Sequence, residues 1–300
     1  MIQVLRLGQA TFETPDVDRL TDYYVEVIGL RAVRDKDRAI LSTAVGQEVA
    51  IFKPGPVPRC TNMSFQVSPR LDLADIEKTL QKDGIRSERR SDITPSLRSM
   101  TVFEDPKGTE IELFTESAAS APVETAGIAP RKLGHVAFLV SDAKALSEFY
   151  IKLLGFRVSD WIEDYFVFLR CSPDHHTVNF ISGVGPSFMH HIAYELEDWA
   201  HLQRACDTLA RHNRPIIWGP GRHGVGHNVF VYHRDPDDHI IELFAEMDQM
   251  KDEEIGCFEP RAWHHDRPQR PKVWDRKSSA MTWGTPPTPD FLRNQSRTSH

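Results

Sequence analysis

Three side chains that could hold a metal ion stand at matched points of an internal repeat. Leu7-Gly8-Gln9-Ala10-Thr11-Phe12 returns as Leu133-Gly134-His135-Val136-Ala137-Phe138, and Thr61-Asn62-Met63-Ser64-Phe65 returns as His190-His191-Ile192-Ala193-Tyr194. Asp105-Pro106-Lys107-Gly108-Thr109-Glu110-Ile111-Glu112-Leu113-Phe114 returns as Asp235-Pro236-Asp237-Asp238-His239-Ile240-Ile241-Glu242-Leu243-Phe244. The matched positions are Gln9, Asn62 and Glu112 in one copy, and His135, His191 and Glu242 in the other. Two imidazoles and one carboxylate form a facial triad that suits Fe(II) or Mn(II) and leaves positions open for other ligands. Amides are poor ligands, so the first copy reads as a site that has lost its metal.

Each ligand candidate sits in a stretch that reads as a strand. Ala137 then shares a face with His135, and Ala193 with His191, which leaves room beside the metal for an organic molecule. Glu242 falls between Ile240 and Phe244 on one face, where a carboxylate is costly unless paired or metal-bound. Any one of these histidines could be a hydrogen-bonded core residue; three ligand types at matched repeat positions argue against that for the set.

The elements that carry them follow the same repeat of roughly 130 residues. Each copy opens with a strand and continues into a helix, Asp16 to Ile28 or Asp142 to Leu154. Ala145, Leu146, Phe149, Tyr150, Leu153 and Leu154 make one buried stripe. Each helix runs into a glycine, Gly29 or Gly155, the usual left-handed stop. Short strands follow (39–41, 166–169), then a helix near 73–82 or 198–211, and two final strands at 99–104 and 110–114, or 228–233 and 239–245. The expected fold class is α+β: two tandem modules, each of paired βαβββ units forming an open mixed-sheet barrel. Residues 1–115 are the degenerate module, 116–130 an Ala-, Ser- and Pro-rich linker, 131–245 the metal-binding module and 246–300 a C-terminal arm. Trp263, Trp274 and Trp283 imply that the arm packs, across the second module or a neighbouring subunit, with a frayed end after about Leu292.

A net charge of -7 without a long basic run argues against a nucleic-acid surface. No apolar stretch approaches the ~20 residues of a membrane span, and the first residues carry no secretory signal, so a cytoplasmic protein is expected. Cys60, Cys171, Cys206 and Cys257 form no CxxC and read as free buried thiols. Gly219-Pro220-Gly221-Arg222-His223-Gly224 fits GxGxxG, but a strand rather than a helix is expected after it, so a dinucleotide site is rejected.

A further run carries a resemblance. Gly221-Arg222-His223-Gly224 leads through Val231-Tyr232 and Asp235-Pro236-Asp237-Asp238 to Glu242. This resembles the signature of the extradiol ring-cleaving dioxygenases, catechol 2,3-dioxygenase type, of the vicinal oxygen chelate superfamily. Asp238 stands where the family pattern has glycine, which touches turn geometry and no ligand. The resemblance spans about residues 1–290. It implies Fe(II), with Mn(II) as the alternative, held by His135, His191 and Glu242. It implies His176 beside the oxygen site as an acid–base residue of near-neutral pKa, with His175 as the alternative. It implies that His223 and Tyr232 hydrogen-bond the catecholate. Tyr232 could instead be a strand core tyrosine, and His190 a solvent-facing neighbour of the ligand. The implied activity is cleavage of a catechol-type diol by O2 to a hydroxymuconic semialdehyde-type product in aromatic catabolism, by a homo-oligomer. Trp218 precedes Gly219-Pro220 where some relatives carry an arginine for a substrate carboxylate, so an uncharged, alkyl-, halo- or aryl-substituted catechol is expected. Two other readings remain: a glyoxalase-like metal-dependent isomerase, and a non-catalytic small-molecule binding protein.

Overall fold

The computed structural model describes all residues except 92, 119–121, 123, 253–269 and 297–300. Trp263 and Cys257 lie outside the described residues.

The first module runs β1 (Val4–Thr14), α1 (Val17–Tyr23) with a π-helical turn (Tyr24–Ile28), β2 (Arg31–Asp35), β3 (Arg38–Ser42), β4 (Glu48–Pro54), β5 (Arg59–Val67), α2 (Leu73–Lys82), β6 (Ser87–Ser91), β7 (Ser99–Glu104) and β8 (Glu110–Phe114). The second repeats this as β9 (Lys132–Val140), α3 (Ala143–Leu154), β10 (Arg157–Ile162), β11 (Phe166–Arg170), β12 (Val178–Ser182), β13 (Phe188–Glu195), α4 (Trp199–Arg211), β14 (Trp218–Arg222), β15 (Val229–Arg234) and β16 (Ile240–Ala245). The arm adds β17 (Lys272–Trp274), α5 (Arg276–Ala280), β18 (Trp283–Gly284) and α6 (Pro289–Ser296).

Each module is one open mixed sheet made of two βαβββ units. The first has strand order β2-β3-β4-β1-β5-β8-β7-β6, the second β17-β10-β11-β12-β9-β13-β16-β15-β14-β18. Within each unit the first and last strands pair in parallel, and the two units meet through the antiparallel pairs β1–β5 and β9–β13. That junction brings β9, β13 and β16, which carry the three candidate ligands, side by side. Gly134 permits the approach, because a Cβ there would lie 2.4 Å from the Phe244 ring.

Local chemistry sets the elements. Asp16, Asp72, Asp142 and Asp198 each accept a backbone N–H at a helix start. Gly29 and Gly155 end the first helices at φ 80° and 72°. Asp238 adopts φ 69° at the turn where the first copy has Gly108 at φ 84°. The first helix departs from the single expected run by widening at Tyr24. The wide turn lets the adjacent Tyr23 and Tyr24 both bury against the second module. There Tyr23 meets His233 Nε2 at 2.6 Å, and the Tyr24 hydroxyl donates to Asp235 at 3.3 Å. The counterpart contact is the Tyr150 hydroxyl donating to Asp105 at 2.7 Å. Each module therefore reads the Asp-Pro turn of the other, and one apolar core, from Ile2 to Ala245, runs through both.

The arm extends both edges of the second sheet, with β17 beside β10 and β18 beside β14. Its last helix continues to Ser296, beyond the expected fraying point. Of the free cysteines described, Cys171 is buried, whereas Cys60 on β5 and Cys206 on α4 are only partly buried. The GxGxxG stretch lies along β14 and leads into β15 without a helix. No helix among the described residues is long and apolar enough to cross a membrane.

Candidate active site

His135 on β9, His191 on β13 and Glu242 on β16 point into one cavity of about 420 Å³. Their ligand atoms converge: His135 Nε2 lies 3.2 Å from His191 Nε2 and 3.0 Å from Glu242 Oε2, and His191 Nε2 lies 3.3 Å from the same oxygen. Atoms held at right angles about an ion, with bonds of about 2.1 Å, lie about 3.0 Å apart. All three residues are buried, and they are the group among the described residues that could hold a metal. Burial would raise the Glu242 carboxyl, yet His135 and His191 hold it well below its ordinary range. Burial lowers His191. An ionised carboxylate and a neutral imidazole are the forms that bind metal. The donor set therefore fits Fe(II) or Mn(II).

Outer partners orient the three candidate ligands. Asn228 Nδ2 donates to Glu242 Oε1 at 2.9 Å. His191 Nδ1 meets His190 Nδ1 at 2.7 Å, so with His191 Nε2 free to ligate, its Nδ1–H donates to His190. His190 is thus not solvent-facing. It is buried, and its ring packs against Phe291 of the arm at 5.8 Å, because α6 covers that face.

The structure brings His176, His223 and Tyr232 to the same cavity. The His176 ring stands edge-on to His135 at 4.3 Å, while His175 turns away to Asp160. Burial places His176 well below its ordinary pKa, with His135 adding to the shift. The direction runs below the near-neutral value expected from the sequence, with the Glu242 charge opposing it. His223 Nδ1 donates to the Ala280 carbonyl at 2.8 Å, which leaves Nε2 to accept from the Tyr232 hydroxyl at 3.1 Å. Burial pushes His223 down to about 4 and, with Glu242 adding, raises Tyr232 well above its usual range. Both are neutral at physiological pH, and Tyr232 keeps its proton. Far from being only a core residue, Tyr232 lines the cavity with Trp218 stacked on it at 5.2 Å and 12°.

The first module answers differently at the matched points. Asn62 Nδ2 donates to Glu110 Oε2 at 2.6 Å and to Glu112 Oε1 at 2.7 Å, so its amide occupies the carboxylates as a hydrogen-bond donor.

Leu139, Ile162, Phe166, Phe168, Ile181 and Val225 form the apolar wall of the cavity. Arg276 stands at its edge, paired with Glu163 at 2.7 Å and lying over the Tyr165 ring. Asn228, Asp160, Ala280 and Phe291 were not legible as site residues in the sequence. Their roles arise from contacts across the sheet or from the arm, which no short motif encodes.

Comparison with known proteins gives a consistent picture. The family profile of the Glyoxalase/Bleomycin resistance protein/Dioxygenase superfamily matches residues 6–113 and 132–243. A 2,2',3-trihydroxybiphenyl dioxygenase of Sphingomonas paucimobilis is 27% identical, over 91% of this chain and 97% of its own length. An iron-dependent extradiol dioxygenase of Rhodococcus jostii is 23% identical, over 88% of this chain and 98% of its own. Among solved structures, the Mn(II)-bound glyoxalase from Novosphingobium aromaticivorans superposes with a TM-score of 0.83 at 23% identity, covering 97% of this chain and 94% of that one.

Proposed function

The chain belongs to the glyoxalase/bleomycin resistance protein/dioxygenase superfamily, and from that premise we propose that it is an extradiol dioxygenase. It cleaves a catechol-type diol with O2 at a non-haem Fe(II) centre, with Mn(II) as the alternative metal. The observation that carries this reading is the meeting of the His135, His191 and Glu242 ligand atoms with His176, His223 and Tyr232 in one buried cavity. Residues 131–245 form the catalytic module, 1–115 the degenerate one, 116–130 the linker and 246–300 the arm.

When bound, the metal supplies Lewis acidity toward the diol and an electronic route between ring and O2 that avoids their spin-forbidden direct reaction. The protein supplies the rest. Tyr232 and His223 hold one diol oxygen by opening their mutual hydrogen bond: the Tyr232 O–H turns from His223 Nε2 to donate to that oxygen, and the freed Nε2, held inward by the Nδ1–H bond to Ala280, accepts from the diol. His176 stands across the site on the His135 side and exchanges a proton with the reacting atoms. The apolar walls exclude water.

At about 420 Å³ the cavity has room for a catechol that carries a substituent. Its phenylalanine wall and the Trp218 indole favour an alkyl- or aryl-substituted catechol. Arg276 is the one cationic side chain among the described residues that line the cavity, and its Nε is engaged by Glu163. We further infer a homo-oligomer, as the dioxygenase resemblance implies, that works in the cytoplasm; light scattering of the purified protein checks the assembly.

A glyoxalase-like isomerase would use the same triad, but it has no use for the Tyr232–His223 pair. The test is oxygen consumption by protein loaded anaerobically with Fe(II), across a panel of catechols. Uptake with a yellow product, strongest for aryl- or alkyl-catechols, is expected. Metal-loaded protein that consumes no oxygen with any diol would favour the isomerase. Failure to bind metal would favour a binding protein.

A further inference from the structure

Behind His176 lies a buried chain of polar groups that the reaction as described does not use. Asp160, on β10, is fully buried. Its Oδ1 accepts the backbone N–H of Lys272 at 3.0 Å, and its Oδ2 accepts the Trp274 indole N–H at 2.9 Å, both from the arm. His175 Nε2 lies 3.0 Å from that same Oδ2. His175 Nδ1 in turn lies 3.1 Å from His176 Nδ1. The pair has no slack. The His175 backbone N–H donates to the Asp248 carbonyl at 2.9 Å, and a Cβ on Gly226 would sit 3.3 Å from His175 Nδ1.

We propose that Asp160 and His175 are positioning residues that hold His176 as its Nδ1–H tautomer, with the Nε2 lone pair facing the cavity. The inference rests on the reading above that His176 meets the reacting atoms. A backbone N–H and an indole N–H can only donate, so the Asp160 carboxylate acts as an acceptor on both oxygens. The hydrogen between Asp160 and His175 therefore sits on His175 Nε2. A neutral His175 then has its lone pair on Nδ1. One proton must lie between the two Nδ1 atoms, and it comes from His176. The remaining lone pair of His176 is on Nε2, and His176 lines the cavity.

The consequence is an order of events. His176 first accepts a proton: an O–H bond of the diol breaks, its electron pair stays on oxygen, and the proton bonds to Nε2. The resulting imidazolium is steadied by its Nδ1–H bond to His175, whose Nε2–H rests on the Asp160 carboxylate. Only then can His176 return that proton from Nε2. The arm is part of this device, since Lys272 and Trp274 commit Asp160 to accepting.

The test reads ring nitrogens directly. Full-length protein carrying 15N-histidine and loaded with Zn(II) is studied by NMR, with His176→Gln giving the assignment. The expected spectrum shows His176 protonated at Nδ1 and bare at Nε2, and His175 the reverse. His176 protonated at Nε2 would overturn the inference, and this readout leaves both Asp160 and His175 in place. In His175→Leu the Nδ1–H signature of His176 is lost, and kcat falls about 10- to 100-fold at unchanged KM. In His175→Asn, whose Oδ1 replaces the accepting Nδ1, the signature returns and kcat falls less. An unchanged His176 tautomer in His175→Leu would also overturn it. The expected tautomers in a protein that consumes no oxygen would instead refute the dioxygenase reading and leave the tautomer assignment standing.

Discussion

Replacing Asn228 by leucine isolates one hydrogen bond at the proposed metal centre. Asn228 Nδ2 donates to Glu242 Oε1 at 2.9 Å, with both groups buried. This is the contact that holds the carboxylate plane while Oε2 faces His135 and His191. A hydrogen bond to a charged group contributes about 1.5–3 kcal/mol, and every 1.4 kcal/mol is about tenfold in affinity. Leucine keeps the bulk and removes the donor. The expected result is a metal Kd weaker by about 10- to 100-fold, the range seen when such orienting partners are lost. The assay is competitive titration of Fe(II) or Mn(II) against a chelating dye under anaerobic conditions. Circular dichroism of the metal-free variant checks that the fold is intact. An unchanged Kd in a folded variant would show that Oε1 does not orient the ligand, and the assignment of Asn228 would fall.

His176→Ala retains the metal and loses about 10²- to 10⁴-fold in kcat, the usual share of an acid–base residue; parallel loss of metal would place His176 in the ligand set instead. Tyr150→Phe removes the 2.7 Å bond to Asp105 between the modules and costs about 2 kcal/mol, read as a lowered thermal midpoint; an unchanged midpoint would remove this bond from the account of the module interface. His233 gives a pH dependence. Burial holds its imidazole down to about 3, while the unfolded chain protonates near 6.5. Its contribution is therefore complete above pH 6.5 and is lost as pH falls toward 3, about 2 kcal/mol at pH 5. Urea titrations at pH 7 and pH 5 should show a loss smaller by that amount in His233→Gln, and equal losses would contradict the assignment.

What the sequence carried was whatever short spacing encodes. The repeat placed His135, His191 and Glu242 on equivalent strands, and one sheet topology then brings them together. The Asp-Pro turn was legible even where Asp238 replaces glycine, since the left-handed φ is kept. Asp N-caps and glycine stops marked the helices within a residue or two. The arm's strands were not legible, because β17 and β18 span 3 and 2 residues and exist only as edges of the second sheet. Asp160 reads as an ordinary strand aspartate until Trp274 arrives from 114 residues away. The burial of His190 follows from Phe291 on α6, and the downward shift of His176 from its burial beside His135. These are tertiary effects with no local periodicity. The wide turn at Tyr24 likewise answers to the other module, which no pattern within α1 reports.

The central claim is that this cavity inserts dioxygen into a catechol ring. It is tested most directly by mixing Fe(II)-loaded protein with an aryl- or alkyl-substituted catechol under 18O2 and weighing the product by mass spectrometry. The account predicts a ring-opened product that carries both oxygen atoms. Catechol recovered unopened, or a product carrying neither label, would contradict it.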